Sequence, residues 1–176
     1  MKTNVILILV LATLLSACTK VEKTPTSGIS TIENTIYRPT NPYVFGFLFS
    51  AAELVANNAT PGPDILLFVN TDVTTSRLTL QADNLKPSFF KYGEFADEAA
   101  AKIAFDNIKT VSATQWVDMA DPIIANQIWI YRTGSDTYAK IRIISTINEI
   151  RQTVPYGECK FQWVYQPDGS LTFPGK

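Results

Sequence analysis

Of the side chains that do most protein chemistry, histidine is missing: the 176 residues contain none. That removes the Ser-His-Asp triad, the Cys-His pair and every His-bearing zinc site together. There are two cysteines, Cys18 and Cys159. Cys18 ends an apolar run, whereas Cys159 in "GECKFQWVY" alternates with apolar residues and reads as a small buried hydrophobe. The chain also lacks a Gly-rich phosphate loop. What remains is carboxylate chemistry, with Asp118 and Asp121, or Asp72 and Asp83, as the candidate pairs. A glycosidase needs two carboxyls roughly 5 to 9.5 Å apart in space, and spacing along a chain does not supply that. Asp118, before "MADP", and Asp121, directly before Pro122, read as turn residues, and they lack the dense oxygen spacing of a calcium loop. The chain therefore reads as non-enzymatic.

Cys18 is the residue with the clearest chemical context. Lys2 is the only charge before the apolar run, the stretch from Val5 to Leu15 is uninterrupted by charge, and Ser16 and Ala17 are the small residues a signal-cleaving protease requires. Residues 1–17 thus have the anatomy of a secretory signal. As a helix rising about 1.5 Å per residue, the apolar core covers little more than half of a roughly 30 Å hydrocarbon layer, too little for a resident membrane span. The order Leu15-Ser16-Ala17-Cys18 resembles the lipobox of bacterial lipoproteins. The resemblance implies that Cys18 carries a diacylglycerol, that the chain is cut before it, and that its new amino group is acylated. At about 0.8 kcal/mol per buried methylene, one acyl chain holds a protein only reversibly, whereas two or three hold it firmly. Thr19, and not Asp, follows the cysteine, which by similarity to Gram-negative sorting implies the outer membrane, with the domain facing either the periplasm or the medium.

Cleavage before Cys18 leaves 159 residues, enough for one domain with a sizeable core and a tether. Losing Lys2 leaves 14 Lys and Arg against 16 Asp and Glu, a scattered balance of −2. No basic stripe exists to neutralise phosphates, which argues against a nucleic-acid partner. With Cys18 lipidated, Cys159 is the single thiol, so an internal disulfide is excluded. Residues 18–41, rich in Thr, Ser and Pro and thin in apolar side chains, read as the lipidated terminus and a flexible tether. A single domain is expected over 42–176.

The elements that must position any site read as mainly β (α+β): antiparallel sheets built from hairpins, with one amphipathic covering helix near 97–109. "YVFGFLFS" and "DILLFVN" read as buried strands, with a helical turn at "AAELVANN" and the breaker "TPGP" between them. "SRLTLQA" alternates Leu78 and Leu80 against Arg77, Thr79 and Gln81, giving one buried and one wet face. Between 97 and 109 the period changes: Ala100, Ala101, Ala104, Phe105 and Ile108 share one side, while Glu98, Lys102, Asp106 and Lys109 line the other. Spacings of four there predict a modest ion-pair ladder. Two hairpins follow: "NQIWIYRT" with "TYAKIRIIS" about "GSD", and "KFQWVYQ" with "SLTF" about "PDG". In the first of these strands both faces are bulky, so one feeds the core and the other is covered by the helix, by loops or by a ligand.

The run "QIWIYRTGSDTYAKIRIIS", the later "FQWVYQPDGSLTF", the earlier "PDILLF" and the lipobox together resemble the HmuY family of Bacteroidetes lipoproteins, whose best-known members bind haem. The founding members hold iron through two histidines; this chain has none. The resemblance makes Met119, in "QWVDMADP", the one position able to stand in as a haem ligand. Met1 leaves with the signal, so the second iron position would be open, or filled by a tyrosine, by Cys159 or by another molecule. Asp64 stands after Pro63 where the family usually shows tryptophan, and it reads as a turn or strand-start residue. The implied function is non-enzymatic binding of haem or another flat apolar molecule, with Trp116, Trp129, Trp163 and the tyrosines as the motivation. The alternative is an accessory or scaffold lipoprotein that binds another outer-membrane protein and no haem.

Overall fold

The computed structural model describes residues 23–174, apart from 39, 73, 74 and 85. One antiparallel sheet holds, in spatial order, β1 (Ser27–Glu33), β10 (Val154–Gln166), β9 (Tyr138–Arg151), β8 (Gln127–Arg132) and β6 (Phe89–Glu94). The second holds β3 (Glu53–Ala56), β2 (Phe45–Leu48), β4 (Ile65–Thr71), β5 (Ser76–Ala82) and β7 (Met119–Ala120). The expectation of a mainly β fold with one helix is met.

The two sheets stack face to face because each has one apolar side. Trp129, Tyr131, Ile141, Phe161 and Trp163 of the first sheet meet Phe47, Ile65, Leu67, Leu78 and Leu80 of the second in one buried cluster. Each such side chain removed from water contributes about 1.5–3 kcal/mol. At Gly157 the sheets approach so closely that a Cβ would lie 2.5 Å from Leu78 Cδ2 and 2.7 Å from Val69 Cγ2. One lateral edge is closed by a bridge between Phe89 and Val117, where Val117 N–H donates to the Phe89 carbonyl at 2.8 Å and Phe89 N–H returns the bond at 2.9 Å.

The outer face of the first sheet is covered by α1 (Glu98–Asn107), making a third layer. Asp97 caps the helix start, its Oδ1 accepting from Ala100 N–H at 2.8 Å, a contact worth about 1 kcal/mol. Phe105 and Ile108 then pack on Ile128, Ile130 and Val164, joined by Phe173 from the C-terminal segment. Lys140 of β9, only 2% exposed, sends Nζ to the carbonyls of Phe105 at 2.8 Å and Ile108 at 3.0 Å. A cation thus sits at the negative end of the helix, adding to the 3.4 Å bond that the Phe105 carbonyl accepts from Ile108 N–H. Of the expected ladder, Lys102 pairs with Asp106, while Glu98 lies 3.8 Å from the buried Arg142 of β9.

Four local expectations are corrected. The tether read over 18–41 contains β1, registered against β10 from Ser27↔Val164 to Glu33↔Glu158. Ser30 Oγ accepts from Trp163 Nε1 at 3.1 Å and Ile32 is buried in the core, so β-branched residues that look polar as a group complete the sheet edge. "AAELVANN" does not make a helical turn: the chain reverses at 49–52, with Ala52 at φ 59°, and returns as β3 beside β2. The last hairpin joins β9 to β10 through Gln152 and Thr153, both with positive φ of 47° and 74°, the handedness that two-residue hairpin turns require. "SLTF" instead runs beside 109–111, bridged at Thr110↔Thr172. On β5, Thr79 is buried and not wet, its hydroxyl accepting from Asn70 Nδ2 at 2.8 Å and donating to Asp121 Oδ1 at 3.0 Å.

Candidate functional site

The register of β1 fixes two ends of the sandwich. At the near end, where the described chain begins, Tyr165 N–H donates to the Thr26 carbonyl at 2.7 Å. The 60–64 loop, the residues after β5 and the β8–β9 turn collect at this same end. At the far end lie the β4–β5 and β9–β10 turns.

The near end holds a polar cavity of about 280 Å³. Asp64, directly before the buried run of β4, faces it and accepts from Phe49 N–H through Oδ2 at 2.8 Å. Burial pushes the Asp64 carboxyl up to about 6, opposed only in part by that N–H. Tyr131, buried on β8, donates its hydroxyl to the Asp64 carbonyl at 2.7 Å and accepts from Asn84 Nδ2 at 3.3 Å. Burial and the Asp64 charge hold that phenol well above its ordinary range. Asn84 is itself fixed, its Oδ1 accepting from Ser88 Oγ at 3.0 Å and Lys86 N–H at 2.9 Å. On the other wall the Thr137 hydroxyl bonds those of Thr133 at 2.8 Å and Tyr165 at 3.0 Å. The Tyr165 ring stacks on Phe49 at an interplanar angle of 18°. The result is a pre-organised concavity of carboxylate, carbonyl and hydroxyl oxygens, suited to receive a hydrogen-bond donor.

Sequence reading placed Asp64 at a turn or strand start and missed its role. The available signal was a carboxylate wedged between "PGP" and the apolar "ILLF", where solvation is hard to keep. The rest of the cavity is assembled by long-range pairing and had no local signature.

Met119 sits not in a loop but on β7, paired with Gln81 of β5, and is 41% exposed. It lines a concavity of about 330 Å³ at the β6–β7 edge with Phe90, Lys91, Val117 and Trp129. Asp118 and Asp121 line different concavities; Asp121 lies 3.5 Å from Arg77 Nε. Asp72 closes the β4–β5 turn by accepting from Thr75 N–H at 3.0 Å, whereas Asp83 lines the near-end cavity, so these two stand at opposite ends of one hairpin. Neither candidate carboxylate pair is brought into one site. Trp129 and Trp163 are buried core residues, and Trp116 is half-buried beneath Arg132, 4.8 Å from its ring centroid. Cys159 is buried, and desolvation raises its thiol far above the reactive range. Cys18 lies outside the described residues. No helix among the described residues is long and apolar enough to cross a membrane.

Comparison with protein families, with curated proteins and with solved structures finds no match.

Proposed function

We propose that this chain is a lipid-anchored bacterial envelope protein of the HmuY-like kind, held at the outer membrane through acyl chains on Cys18, whose sandwich binds a ligand without transforming it. Haem or another flat apolar molecule is the ligand class. The observation that carries the reading is Met119, whose side chain is exposed at the β6–β7 edge beside Phe90, Val117 and Trp129, and not used to fill the core. The residues would hold haem through the Met119 thioether, an established haem ligand, with Phe90 and Val117 as apolar contacts; Lys91 beside them is paired with Glu94 at 2.7 Å. Haem bound there would supply an iron centre held by Met119 with no histidine from this chain. Titrating the mature protein with oxidised and then reduced haem tests this by absorbance. A saturable one-to-one Soret shift, lost in Met119→Ala, is expected; a featureless titration removes haem from the reading.

A second reading, an accessory lipoprotein that docks on another outer-membrane protein, is favoured by the far end. There Ile150 and Val154, each 62% exposed, crown the β9–β10 hairpin on the side opposite the chain start, and exposed apolar clusters mark partner surfaces. Co-purification of one outer-membrane protein that is lost in Ile150→Glu/Val154→Glu, with the domain still folded, is the expected result. Unchanged recovery counts against it.

A further inference from the structure

We propose that the near-end cavity binds a primary ammonium group, as a binding site separate from the Met119 edge. Residues from four separated parts of the chain line it: the carboxylate-bearing Asp64 and Asp83, and Asn84, Tyr131, Thr137 and Tyr165, whose polar groups are fixed by hydrogen bonds to one another and to their neighbours. None of the residues lining the cavity is Lys or Arg. The neighbouring Lys86 is engaged elsewhere, with Asp136 at 3.2 Å and the Gly134 carbonyl at 3.1 Å. Asp64 is therefore a desolvated carboxylate whose hydrogen-bond partner is the Phe49 N–H, and burying such a charge without a counter-charge is costly.

The chemistry of the lining narrows the ligand. An ammonium carries three donors and a positive charge, matching an acceptor-rich, acidic wall. Anions are disfavoured by the two aspartates. A divalent cation prefers six or more oxygens with several carboxylates, and no cluster of three or more His, Cys, Asp or Glu occurs among the described residues. The volume is at the small end for ligand pockets, which favours a compact amine head.

That head has two sources, a free amine or an ethanolamine lipid headgroup. Thr26, at the near end, follows Cys18 by eight positions, so on the lipid-anchored reading at most ~28 Å of extended chain separates it from the acylated residue. The test uses the mature protein in phosphatidylcholine nanodiscs, followed through the amide NMR signals of Phe49 and of the Asn84 side chain. Free ethanolamine is titrated first, ethylene glycol serves as the neutral isostere, and phosphatidylethanolamine then replaces part of the lipid without free amine. A saturable shift with ethanolamine, at least tenfold weaker in Asp64→Asn and several-fold weaker in Asp83→Asn, is expected. The same shift with phosphatidylethanolamine assigns the headgroup as a source; a shift with ethanolamine alone assigns a soluble amine. No shift with either source, equal binding of ethylene glycol, or binding undiminished in both variants overturns the proposal. Should Asp64→Asn fail to fold, Asp83→Asn, at an exposed position, carries the comparison.

Discussion

At the near end of the sandwich, the 60–64 loop, Asn84 and the β8–β9 turn are bound to one another through side-chain hydrogen bonds around a concave polar space. At the far end, the β9–β10 hairpin holds Ile150 and Val154 in solvent, and Val154 borders a second concavity with Ile36, Arg151 and Tyr156. The same pair of sheets thus ends in two chemically opposite surfaces. A pre-formed concavity lined by polar groups suits a small polar ligand, while exposed apolar side chains at a hairpin tip gain only from a surface large enough to cover them. Both ends are tied to other segments: five line the near-end cavity, while the far-end hairpin is held by Asn34, whose Nδ2 donates to the Pro155 carbonyl at 3.1 Å, and by Ser76 of the β4–β5 hairpin, whose carbonyl accepts from Asn148 Nδ2 at 2.8 Å. The difference lies in what each end leaves exposed.

Substitutions that act on one end and spare the other sharpen this contrast. The largest effect is expected at the foot of the far-end hairpin. Gly157→Ala places a methyl against Leu78 and Val69 and should cost about 2–3 kcal/mol by overpacking, seen as a lowered denaturant midpoint, with the near-end amide signals keeping their positions. A smaller effect belongs to Asp64. Its folded-state pKa of about 6 stands above the ordinary aspartate value, so the folded protein holds a proton that the unfolded chain has released. Stability should therefore fall as pH rises from about 4 to about 6 and stay level above that. Asp83, Tyr131 and Tyr165 are the other titratable groups facing it, with the Lys86–Asp136 pair beyond. Asp64→Asn should flatten this slope and gain about 1–2 kcal/mol at pH 7, measured by urea unfolding across the range; an unchanged slope would place the titration elsewhere. The smallest effect is at the tip itself. Thr153 is a β-branched residue at φ 74°, and Thr153→Gly should stabilise by about 0.5–1 kcal/mol, read as a rise in melting temperature.

The elements with strict periodicity were legible before any coordinates. The strand "SRLTLQA", the apolar run "DILLFVN", the first hairpin about "GSD" and the helix begun by Asp97 all lie where the pattern put them, although Thr79 of the expected wet face is buried. What was illegible depended on neighbours distant in sequence. "SGISTIE" carries too few apolar residues to announce a strand, and becomes one because β10 offers it seven partners. Lys140 and Arg142 alternate with Ile141 and Ile143 as a wet face would, yet they are 2% and 3% exposed because a helix lies across them. The near-end cavity was invisible for the same reason. Asp64 and Tyr131 are 67 positions apart, and no local pattern encodes their meeting.

The pairing of β1 with β10 has a consequence for the order of events. The first strand of the sandwich is completed only by the last, with Ser30 and Trp163 meeting across 133 positions. Closing so large a loop is entropically slow. A chain made N-terminus first therefore carries β1 without its native partner until β10 has been made. The topology itself postpones completion of this sheet and makes the 13 residues of β10 the trigger for its closure.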